Sequence, residues 1–66
     1  MQSTQQMWKA ICTLVAECNK FGEDSIDEKY IYRVARKNGV NTRKLSHEWS
    51  LQLRDLHQYG MFVDLI

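Results

Sequence analysis

Apolar residues recur along this chain with the period of a helix, in three separate stretches. In the first they fall at Met7, Ile11, Leu14, Val15 and Cys18, offsets of 4, 7, 8 and 11, with Trp8 beside them. That is one stripe of a 3.6-residue repeat, and it predicts an amphipathic helix whose aliphatic and Trp side chains are core. Ser3 or Thr4 supplies a cap at its start, and Gly22 follows as its stop. The second stripe is Tyr30, Ile31, Val34 and Ala35, with Tyr32, Arg33, Arg36 and Lys37 largely off it. Ser25 with Glu28 has capping-box spacing, Asp27 is the alternative cap, and Asn38 and Gly39 end the helix after about three turns. The third stripe is Leu45, Trp49, Leu53 and Leu56, in a helix running from Asn41 or Thr42 to about Tyr59 and stopped by Gly60.

Two further segments read as strand. Ile26 sits just ahead of the second helix, and residues 61–66 are apolar and β-branched. Each is the other's only obvious pairing partner. The expected architecture is mainly α: one domain over residues 1–66, a three-helix helix-turn-helix of winged-helix type with a short or truncated β wing.

Composition narrows the class. At 66 residues the chain allows one small core, and 44% hydrophobic content fills it. The absence of Pro and the presence of only three Gly argue against a turn-rich β fold. Cys12 and Cys18 lie six apart on one helix and point to different faces, so they do not pair with each other. That layout predicts a reducing, intracellular setting, cytoplasmic or nuclear. The N-terminal residues have no signal-peptide pattern, and the longest apolar run is too short for a membrane span.

Net charge is +1, but its distribution is uneven. Residues 29–54 hold seven basic side chains and one acid, Glu48, directly after the acidic Glu23, Asp24, Asp27 and Glu28. A basic segment spanning two helices joined by a short Gly-containing turn is the arrangement of a helix-turn-helix. Thr42, Arg43, Lys44, Ser46 and His47 open the third helix, and Arg33, Arg36 and Lys37 sit on the second. These side-chain types reach phosphates and base edges. They are the candidate nucleic-acid contacts, for double-stranded DNA with the third helix in the major groove. A single module of this kind binds weakly, so a homodimer or larger assembly is expected.

The stretch DEKYIYRVARKNG at 27–39, then Leu45, and Leu53, Leu56 and Gly60 in an L-x-x-L-x-x-x-G pattern before Met61 and Phe62, resembles two groups of proteins. One is the C-terminal winged helix of replication initiators of the Orc/Cdc type. The other is the small winged helix that ends archaeal MCM helicases. The similarity covers roughly residues 7–63. It implies a winged helix, and a role as a small regulator of transcription or replication. The sequence given supplies one wing strand before Ile66.

The rival reading is a protein-binding adaptor of the same fold. Leu51 points away from its helix's stripe, and Phe62, Leu65 and Ile66 crowd the tail. These four, with Tyr32, are the candidate partner contacts. Trp49 lies on the Leu45–Leu53 stripe and reads as core rather than as an interface anchor. Other chemistry finds little support. C-x5-C and H-x9-H match no common zinc spacing, so no metal or other cofactor is expected. No phosphate loop, nucleophile–base pairing or paired carboxylates are present, and no small-molecule substrate or membrane partner is implied.

Overall fold

A computed structural model describes residues 4–60 of the chain. The order is α1 (Thr4–Phe21), a single 3-10 turn (Glu23–Ser25), α2 (Glu28–Asn38) and α3 (Thr42–Tyr59). Among the described residues there is no strand, and no helix is long and apolar enough to cross a membrane. The protein is mainly α. The expected tail strand lies outside the described residues, as does Ser3.

The three helices pack on one another around a single cluster. α1 contributes Ala10, Ile11, Leu14 and Cys18, at the spacing its stripe predicts. α2 contributes Ile31, Val34 and Ala35, and α3 contributes Leu45 and Trp49. Met7, Val15, Ile26, Tyr30 and Leu53 close the edges, half-buried. Trp49 is 3% exposed, so it is core, as its stripe predicts. At ~1.5–3 kcal/mol per fully buried large apolar side chain, these few residues supply most of the force that holds so small a domain together.

Both ends of the α2–α3 connection are fixed by local chemistry. Gly39 adopts φ 68°, ψ 31°, the left-handed conformation. Its N–H donates to the Arg36 carbonyl at 3.3 Å, and the Val40 N–H donates to the Ala35 carbonyl at 3.0 Å. This pair of bonds is the Schellman motif, and Val40 tucks beneath the helix end into the core. Asn41 then caps α3, its side-chain oxygen accepting from the Lys44 N–H at 3.1 Å. Three residues, 39–41, therefore join the helices.

Three expectations need correction. The α2 cap is Asp27, whose carboxylate accepts the Tyr30 N–H at 2.8 Å, and there is no capping box from Ser25. The Ser25 hydroxyl instead donates back to the Gly22 carbonyl at 2.7 Å, because the chain makes a 3-10 turn there. Ile26 is not strand: it follows that turn with its N–H on the Glu23 carbonyl and its side chain against the core. Trp8 is not core. It is 38% exposed, because it stands at the edge of the α1 stripe where the groove between α1 and α3 opens.

Candidate nucleic-acid interface

With Ile31, Val34 and Ala35 turned inward, the opposite side of α2 faces solvent. Lys29, Tyr32, Arg33 and Arg36 stand there at i, i+3, i+4 and i+7 and line one shallow hollow. Tyr32 is 51% exposed. The Arg36 guanidinium lies 5.7 Å from its ring centroid, and Arg36 Nη1 donates to the Tyr32 hydroxyl at 3.3 Å.

Tyr32 is also a wall of a second hollow, formed with Glu28 and Ile31 of α2 and Thr42, Arg43 and Ser46 of α3. Burial of Leu45 and Trp49 sets this face of α3. Two residues before Leu45, Arg43 sits about 160° from it around the helix. Arg43, Lys44 and His47 continue the surface into a third concavity, with Met7 and Glu48.

Seven of the eight predicted DNA contacts therefore line connected concavities that pass through Tyr32 and Arg43: Arg33, Arg36, Thr42, Arg43, Lys44, Ser46 and His47. Lys44 lines the third hollow but also turns toward α1, sharing a groove with Trp8, Glu48 and Gln52. Lys37, in the last turn of α2, is exposed and lines none of them. Lys29, Tyr32 and Glu28 join this surface beyond the predicted contacts. The 29/32/33/36 spacing is the signal that finds the first two.

Charge on this surface is largely uncompensated. Among the described residues the close basic–acidic contact is His57 Nε2 with Glu23 Oε1, 3.0 Å apart, an ion pair when the imidazole is protonated, between the end of α3 and the 3-10 turn. Lys29, Arg33, Lys37, Arg43 and Lys44 have no carboxylate partner among those residues. Glu28 in the second hollow and Glu48 in the third are the acids that intrude.

Two groups packed against the core have displaced proton affinity. Burial, and then the charge of Glu23, pushes the Cys18 thiol up. The Tyr30 phenol is pushed up by burial, by the charge of Glu17 and by the hydrogen bond it donates to Glu17 Oε1 at 3.2 Å, against an opposing pull from Arg33. Both are held in their neutral forms and serve packing. No group of three or more His, Cys, Asp or Glu gathers at metal-binding distance among the described residues.

The candidate adaptor contacts divide. Leu51 is 36% exposed and lies about 160° around α3 from Trp49. Phe62, Leu65 and Ile66 lie outside the described residues. No family model, no curated protein and no solved structure matches this chain.

Proposed function

We propose that this domain binds nucleic acid, double-stranded DNA, as a helix-turn-helix of the winged-helix type in which α3 faces the major groove. The observation that carries the reading is the junction at Tyr32. It joins the basic side of α2 to the hydroxyl- and Arg-bearing start of α3, so Lys29, Arg33, Arg36 and Arg43 lie on one continuous surface. On this reading Arg43, Ser46 and His47 meet base edges or the flanking backbone, while α2 meets phosphates. The chain then serves as a small regulator of transcription or replication, with a dimer or larger assembly supplying the affinity that one module lacks.

The test is fluorescence anisotropy of a labelled short random duplex at low and moderate salt. Non-specific binding of about 10⁻⁴ to 10⁻⁶ M at physiological salt, weakening steeply as salt rises, is expected for several phosphate contacts. A folded protein that fails to bind even at low salt refutes the reading.

One observation favours a second reading, a protein-binding adaptor. Trp8 stands 38% exposed in the groove between α1 and α3, beside Met7, Lys44 and Gln52. Exposed Trp in a groove is a common anchor of protein interfaces. Retained DNA binding in Trp8→Ala separates that groove from the basic surface.

A further inference from the structure

The α2 hollow adds Lys29 and Tyr32 to the expected α2 contacts Arg33 and Arg36, and its geometry says what they can hold together. Lys29, Arg33 and Arg36 project from two turns of one helix with no carboxylate among them. From Lys29 to Arg36 the helix advances about 10.5 Å. A nucleic-acid strand carries one charge per ~3.4 Å of duplex axis and winds about that axis, so neighbouring phosphates stand farther apart than this, and the strip meets as many as three of them through the reach of its three long side chains.

Arg36 is held in advance. Its guanidinium is stacked toward the Tyr32 ring at 5.7 Å and spends one N–H on the Tyr32 hydroxyl. A guanidinium has five N–H donors, so four remain, and its planar fork matches the paired oxygens of a phosphate. Fixing the side chain beforehand lowers the entropy lost on binding. The neighbouring hollow favours the same strand, because Tyr32 leads directly to Thr42, Arg43 and Ser46.

We propose that the hollow formed by Lys29, Tyr32, Arg33 and Arg36 binds a run of consecutive phosphodiesters on one nucleic-acid strand, with Tyr32 positioning Arg36 for that contact. This rests on the nucleic-acid reading of the domain. It adds a backbone-gripping site on α2 that carries no sequence information, distinct from the base-facing side of α3.

Two measurements test it on the whole chain with labelled random duplex DNA. The triple variant Lys29→Gln, Arg33→Gln, Arg36→Gln should flatten the plot of log affinity against log salt by about 2.7, which is three phosphates at ~0.9 each. Arg36→Ala should weaken binding by the loss of one phosphate contact, and Tyr32→Ala by less, about two- to fivefold, the range of an exposed cation–π contact. The double variant should be no weaker than Arg36→Ala. All these side chains are exposed, so no variant should melt appreciably below the wild type, and a loss of fold cannot mimic the result.

An unchanged salt slope in the triple variant overturns the proposal while leaving α3 as the contact. Additive losses from Tyr32→Ala and Arg36→Ala overturn the positioning role. Polyglutamate that competes as well as duplex, charge for charge, overturns the assignment to phosphates and points to an acidic protein. Absence of any binding by the wild type overturns both this site and the function on which it rests.

Discussion

Replacing Gly39 by Ala probes the one turn on which the whole surface depends. The hollow at Tyr32 exists because the chain reverses in three residues, and Gly39 makes the reversal with φ 68°. An L-residue in this left-handed conformation brings its Cβ toward the following carbonyl, at a cost of ~1–2 kcal/mol. A Cβ there would meet Gln6 Nε2 at 3.5 Å, an ordinary contact, so no clash adds to that cost. Ala also restricts the unfolded chain, which returns part of it, about 0.4–1 kcal/mol. The net loss is about 1 kcal/mol, and in a domain of this size that lowers the melting temperature by roughly 4–8 °C.

Thermal unfolding followed by circular dichroism reads this directly. Gly39→Asn should lose less than Gly39→Ala, since Asn tolerates the left-handed region better. Gly60→Ala is the matched control: φ is 75°, but Gly60 ends the last described helix with one bond to the Leu56 carbonyl at 2.7 Å. Its loss should be the smaller, because a helix end can fray without undoing the α2–α3 packing. A Gly39→Ala protein as stable as the wild type would show that the turn is not left-handed. The Schellman bonds and the juxtaposition of α2 with α3 would then be wrong as described.

Two other outcomes follow from particular side chains. Glu28→Gln should tighten DNA binding by a few-fold at low salt, since Glu28 is the carboxylate in the hollow with Thr42, Arg43 and Ser46; weaker binding in a folded variant would remove that hollow from the interface. Tyr30→Phe should make alkaline unfolding shallower. The Tyr30 phenol is pushed above its ordinary 10.0 in the fold, so its stabilisation is complete below that value and is lost as pH rises through the folded pKa. Wild type should therefore lose melting temperature faster than Tyr30→Phe above pH 10.0, and parallel profiles would refute the environment assigned to Tyr30.

The helices were legible because their boundaries are local. Gly39 and Gly60 stop α2 and α3 through backbone conformations that need no tertiary partner, and Asn41 caps through its own side chain. Periodicity likewise placed Leu14, Leu45 and Trp49 in the core. What it could not give was how far neighbouring helices cover an edge position. Trp8, beside its stripe, and Leu53, on its own, were both expected in the core, yet Leu53 packs on the core while Trp8 stands in an open groove. Val40 was hidden for the opposite reason. A Schellman turn folds the residue after Gly back under the helix, so a turn position became core. In the interface, the charge count found the basic segment. Only the packing of α2 against α3 makes Tyr32 a wall common to two hollows.

The charge pattern of α2 works against its own stability. Lys29–Arg33 and Arg33–Lys37 are i,i+4 pairs, and Arg33–Arg36 is i,i+3. Like charges at these spacings each cost about 0.2–0.5 kcal/mol. Arg36 and Lys37 recover some of that at the negative end of the helix dipole, because both lie in the last turn. Arg33 does not: it sits a turn too early, belongs to all three repulsive pairs and has no carboxylate partner among the described residues. Its helix propensity is close to that of Gln. Arg33→Gln should therefore stabilise the free protein by about 0.5–1 kcal/mol, summing those pairs with an allowance for screening at the surface. The same change should weaken duplex binding and reduce the salt slope by about 0.9, one phosphate contact. A gain in stability coupled to a loss in binding is the behaviour of a surface shaped by its ligand at the expense of the fold. A variant that melts lower than wild type, or binds duplex with an unchanged salt slope, would show that Arg33 serves the fold of α2 and not a polyanion.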